Sequence, residues 1–185
     1  MKTGFTFNDP EGQNTKVYFE QVYAEKPAGG IVANPDHDIE PTTALGVGQD
    51  GKLVPIKAYR LVAANATADK SIKIAKGSGI KTGDVIGHGG KAVACTNVNK
   101  TNEEYDTVTV ELGANIPAGT VLFEAAEVAA EGATPKLAPV YVAGAWVEAG
   151  KGDARIRLIN GANLRKETAN VAGEVAALMP TIQLV

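Results

Sequence analysis

The chain has 185 residues, a net charge of −3, a pI near 5.5 and one cysteine. That length is about one domain, able to bury roughly 70% of its unfolded surface without disulfides. The acidic balance excludes a general electrostatic attraction to nucleic acid, and a lone Cys95 excludes an internal disulfide framework or a multi-cysteine zinc site.

Taken in order, the opening MKTGFTFNDPEGQNTKVYFE has no apolar run long enough for a signal peptide, and no later segment approaches a membrane span. Synthesis in a cytoplasm and no membrane partner are the expectations. Met1 to Asn14 is polar and centred on the turn-forming Asn8-Asp9-Pro10-Glu11-Gly12, which predicts a surface or mobile segment. KVYFEQVY, Lys16 to Tyr23, fits a strand and a helix equally well. Glu25 to Thr43 holds three prolines and the pair Gly29-Gly30, and reads as a loop or extended arm lying against something. The division that follows is an N-terminal arm and loop, partly extended, over residues 1–43 and a β domain over residues 44–185.

From Ala44 the β signal strengthens. Gln49-Asp50-Gly51-Lys52 is a hairpin-type turn, and Pro55 in the next apolar run implies a sheet edge or a bulge. Then a segment occurs twice. SIKIAKGSGIKTGDVIG, Ser71 to Gly87, overlays TVTVELGANIPAGTVLF, Thr107 to Phe123, without a gap at an offset of 36 residues. Gly77 falls on Gly113, Ile80 on Ile116, Gly83 on Gly119 and Val85 on Val121. Gly79 meets Asn115, the two residue types that most readily take a left-handed backbone. Each copy therefore encodes a strand, a turn of positive φ, a buried isoleucine, a second turn and a short apolar strand.

Between the copies lie the turn His88-Gly89-Gly90, an alternating strand that buries the Cys95 thiol, and a polar loop from Asn99 to Asp106. Glu124 to Pro139 is rich in alanine and glutamate and has room for a turn or two of helix. Val140 to Glu148, with the only tryptophan, and Ala154 to Ile159 read as strands, and Asn160-Gly161 as a turn. A helix at about residues 169–179 follows from Val171, Val175 and Leu178 at helical spacing, with Thr168 or Asn170 to cap it and Pro180 to stop it. TIQLV returns as a last strand. The fold class is thus mainly β: a compact, turn-rich domain, β-clip or barrel-like, with an internal strand-turn-strand repeat and one short C-terminal helix.

The chemical inventory is thin. Neither serine, Ser71 or Ser78, sits in a G-x-S-x-G elbow, no P-loop spacing occurs, and Gly77-Ser78-Gly79 repeats at Gly113 as a turn rather than as a dinucleotide fingerprint. Asp36-His37-Asp38 with Glu40 has ligand chemistry, but consecutive residues of an extended loop point opposite ways and cannot converge on one ion, so a solvated acidic loop is the preferred reading. His88 reads as a surface residue, with no carboxylate near it in sequence. No cofactor, metal or catalytic residue is expected, and the protein is read as a non-enzyme. Arg155, Arg157, Arg165 and Lys166 form a local basic group, a candidate assembly interface that would face an acidic partner surface or, equally, a solvated strand face.

The C-terminal run ARIRLINGANLRKETANVAGEVAALMPTIQLV, Ala154 to Val185, resembles the ending of bacteriophage head fibre and capsid decoration proteins. In these, a strand ending in G-A-x-L-R leads through a helix to a final L-P-x-I-x-x-V strand. The matching residues are Gly161, Ala162, Leu164, Arg165, Leu178, Pro180, Ile182 and Val185, with Met179 inserted between Leu178 and Pro180. The turn-rich repeat also resembles that family's β core, whereas the first 45 residues resemble nothing recognised. The resemblance implies a virion structural protein bound to the outside of a phage head, a homotrimer whose partner is the major capsid protein, with no catalytic residues to carry over. The rival reading is a carbohydrate- or ligand-binding β module, which needs Trp146, Tyr141 and Tyr59 to line one exposed groove.

Overall fold

The computed structural model describes residues 16–185, so the expected surface segment Met1 to Asn14 lies outside the described residues. Fifteen strands and one short helix follow in chain order. β1 (Phe19–Glu25) and β2 (Gly30–Val32) precede the hairpin β3 (Ala44–Val47) and β4 (Leu53–Pro55). Its turn has Gly51 at φ 77°, and Lys52 N–H bonds the Asp50 carboxylate. Next come β5 (Ala58–Arg60), β6 (Ser71–Ala75), the hairpin β7 (Val85–His88) and β8 (Lys91–Ala94), β9 (Asn97–Asn99), β10 (Tyr105–Thr109) and β11 (Val121–Glu124). β12 (Pro139–Ala143), β13 (Ala154–Ile156), β14 (Leu158–Leu164), α1 (Gly173–Ala176) and β15 (Ile182–Leu184) complete the chain.

The largest sheet runs β1-β14-β12-β3-β4-β2-β13, with β15 parallel to β14. Residues 16–43 are therefore not an arm outside the β domain. β1 pairs with β14, β2 pairs with β13 and β4, and Ile39 makes both backbone bonds of a bridge to Val147 at 2.9 Å. The expected contact of this stretch with something else is met by the chain itself. Pro55 needs neither edge nor bulge, because it ends β4 opposite Leu45, where a missing N–H removes little from the ladder.

The doubled segment forms a second layer with its own core of Tyr59, Leu61, Ile72, Ile80, Ile116 and Leu122, among others. β6 pairs antiparallel with β10 and β7 with β11. In the first pair Ile72 is opposite Val108, and in the second Gly87 is opposite Phe123. Each is the other's counterpart in the repeat, so a local two-fold axis passes through both strand pairs. Ile80 and Ile116 are fully buried at equivalent places, and Gly77, Gly83, Gly113 and Gly119 have positive φ. Asn115 departs from expectation. Its φ is not positive, and its side chain instead accepts bonds from the Thr67 N–H at 3.0 Å and hydroxyl at 3.1 Å.

Three other expectations change. The helix shrinks to four residues because Asn170 gives its backbone N–H to the Thr42 hydroxyl and its side-chain amide to that of Thr43, pinning the approach in an extended path. Residues 124–139 hold no helix: Ala125 bridges Pro135 and Ala129 bridges Ala92. Asn160-Gly161 is no turn but lies inside β14, where a side chain on Gly161 would come within 2.8 Å of Tyr23 and Ala24 of β1. Among the described residues no helix is long and apolar enough to cross a membrane.

Candidate functional site

The basic group of the C-terminal strands is dispersed. Arg157 and Arg165 bracket β14, roughly 25 Å apart at an extended rise of about 3.3 Å per residue. Each is matched by a glutamate of β1: Arg157 Nε bonds Glu25, and Arg165 Nε bonds Glu20. Register explains this, since β1 runs antiparallel to β14 with Phe19 opposite Leu164 and Glu25 opposite Ile159. Arg155 lies on β13 and donates to the Ala28 carbonyl at 3.1 Å, while Lys166 gives its backbone N–H to the Val185 carbonyl. The four residues do not form one patch, and β1 supplies part of their counter-charge.

The acidic loop is likewise divided. Asp36 accepts from His37 Nδ1 at 2.8 Å and from Lys81, whereas Asp38 accepts the Ala149 N–H at 2.8 Å and Glu40 faces Tyr18 and Lys16. Partial burial works against the Asp36 anion, but the hydrogen bonds from Lys81 and His37 outweigh it and hold its pKa well below the usual carboxylate range. Among the described residues, no three His, Cys, Asp or Glu side chains are placed to hold a metal ion.

Between the large sheet and the repeat layer lies a cleft of about 260 Å³. Its position follows from four contacts. The Ile39–Val147 bridge sets the loop carrying His37, Asp38 and Glu40 beside Trp146. His37 packs against Gly79, whose missing side chain makes the approach possible. Arg60 of β5 donates to the Gly119 and Ala169 carbonyls, joining the repeat layer to the segment before α1. Lys76, after β6, bonds Asp106 at 2.6 Å. Next to the cleft residue Thr43, Thr42 holds φ 71°, an outlier for a β-branched residue, fixed by the Asn170 N–H at 2.7 Å and by its own N–H to the Ala143 carbonyl.

The three rings of the groove expected for a carbohydrate module are not brought together. Trp146 is 52% exposed at the cleft, Tyr59 is fully buried in the repeat core, and the Tyr141 ring lies under the Lys26 ammonium at 5.7 Å. Tyr59 belongs to a buried ionic chain that sequence reading missed. Lys57 Nζ meets Asp84 at 2.9 Å, Tyr59 donates to the same carboxylate at 3.3 Å, and Lys136 meets Glu124 at 2.7 Å. Burial first, with the Glu124 and Asp84 charges behind it, pushes the Tyr59 hydroxyl far above its ordinary pKa, so it stays a neutral donor.

His88 does have a carboxylate, supplied by α1. Its Nδ1 lies 3.1 Å from Glu174 Oε1, and the same oxygen accepts the Gly89 N–H at 3.0 Å. The imidazole, with the Gly89 N–H behind it, outweighs partial burial and holds Glu174 at about 2. Cys95 is a free buried thiol, its pKa raised by burial, as the alternating strand predicts. Compared with family models, curated proteins and solved structures, the chain matches none.

Proposed function

We propose that this chain is a virion structural protein that decorates the outside of a phage head, as a decoration protein or the base of a head fibre, and acts by association rather than catalysis. The observation that carries the reading is how the C-terminal segment folds. Gly161, Ala162 and Leu164 lie on β14, and Ala162 and Leu164 pair in parallel with Ile182 and Leu184 of β15. Four of the residues that resemble the ending of head fibre and decoration proteins, Gly161, Ala162, Leu164 and Ile182, therefore lie on two adjacent strands, next to β1 at one end of the large sheet. A second support is the sheet margin: among the described residues β1 has a strand partner on one side only, and strand addition there needs no special side chains.

On this reading three copies assemble and one face docks on the major capsid protein. Sedimentation of the purified protein with undecorated heads tests it: co-sedimentation is expected, and its absence with every candidate head refutes it. Light scattering tests the assembly separately. A trimer is expected, and a strict monomer at high micromolar concentration removes that part of the proposal.

A further inference from the structure

The geometry points to a binding site for one neutral sugar ring in the cleft at Trp146. The cleft's charges balance: Lys16, Arg60 and Lys76 face Asp38, Glu40 and Glu167. Most of them are already engaged, since Arg60 is held by two carbonyls, Lys76 by Asp106, and Lys16 lies 3.8 Å from Glu40. An anion or a cation would meet no net field there. A ligand rich in hydroxyls would find donors and acceptors side by side.

The aromatic wall favours the same class of ligand. Indole offers a negative π face to the weakly positive C–H bonds on one side of a sugar ring and keeps an N–H for a hydroxyl. Trp146 is half exposed at the cleft, and its indole N–H has no hydrogen-bond partner among the described residues. Ser78, in the cleft wall, has a buried hydroxyl without a partner among the described residues, so turning it toward a ligand breaks no bond to them. At about 260 Å³ the cleft is smaller than the roughly 300–1,000 Å³ of drug-sized sites, which limits the occupant to a single ring.

Trp146 is the only tryptophan, so its emission reports on this cleft alone. The full chain is titrated with glucose, galactose, mannose and N-acetylglucosamine, and with inorganic phosphate as the charged control. A saturable emission change at millimolar concentration is expected for at least one sugar and none for phosphate. By calorimetry Trp146→Ala should lower the affinity for that sugar about tenfold. Ser78→Ala, still read by emission, should weaken it several-fold, and both variants should keep the parent melting temperature. No response to any of the four sugars, saturation by phosphate instead, or full affinity in both variants would overturn the assignment. The site stands or falls independently of head binding, which the sedimentation experiment reads.

Discussion

Alanine at Gly79 is misplaced twice over. At φ 68° it must take a left-handed backbone, which costs about 1–2 kcal/mol, less about 0.4–1 kcal/mol recovered from a stiffer unfolded chain. Its methyl would also sit 2.3 Å from His37 Cγ and 2.7 Å from His37 Cβ. The ring cannot escape by turning about its tip, because its attachment point is obstructed as well. Its displacement breaks the bond to Asp36, worth about 1 kcal/mol, and adds about 1 kcal/mol of repacking. The expected loss is thus about 3 kcal/mol, or a melting temperature lower by about 6–12 °C for a chain of this size. Gly77 provides the control. Its φ is 80°, and nothing lies within 4 Å of an added methyl, so Gly77→Ala should cost only the backbone part, about 1 kcal/mol. Urea unfolding of both variants decides the matter, and His37→Ala should cost little more in the Gly79→Ala background. Equal losses at Gly77 and Gly79 would refute the role given to the His37 contact.

Lys57→Met takes the lysine counter-charge from the Asp84 carboxylate, which keeps only the Tyr59 hydroxyl and the Lys81 N–H, while Glu124 keeps Lys136; a loss of about 3 kcal/mol is expected from urea unfolding, partly recovered in Lys57→Met/Asp84→Asn. Glu174 has a folded pKa of about 2 against an ordinary 4.5. Its stabilising contribution is therefore complete above pH 4.5 and vanishes as pH falls toward 2, and Glu174→Gln should flatten that part of the stability–pH curve measured by thermal unfolding. Ala28 holds φ 62° in an exposed turn closed by the Gly29 N–H and the Lys26 carbonyl. Ala28→Asn, better suited to that conformation, should raise the unfolding free energy by about 1 kcal/mol at unchanged denaturant slope.

What could be read from the sequence was whatever depends on near neighbours. The glycines of the doubled segment, the Asp50-Gly51 and Gly89-Gly90 hairpins and the closing TIQLV strand carry their turn chemistry and alternation locally, and the structure has all of them. What escaped depends on distant partners. The spacing of Val171, Val175 and Leu178 is helical, but the Thr42 and Thr43 hydroxyls, more than a hundred residues away, bind Asn170 and delay the helix to Gly173. Asn160-Gly161 has turn composition and becomes strand because β1 needs a residue without a side chain there. The cleft follows the same rule: His37, Gly79 and Trp146 carry no common motif, and only the Ile39–Val147 bridge and the packing of His37 on Gly79 unite them.

The pairing of the doubled segment with itself has a consequence for how the chain associates. Because Ile72 faces Val108 and Gly87 faces Phe123, each copy completes the other in the way two subunits meet across an isologous interface. A polypeptide with one copy would need a second molecule to finish either strand pair, and here both halves of that dimer are covalently joined. Residues 88–106, with β8, β9 and the polar loop after them, are the tether. A tether too short to fold back would send the second copy to a neighbouring chain, with every strand contact preserved and the molecules interlocked by exchange.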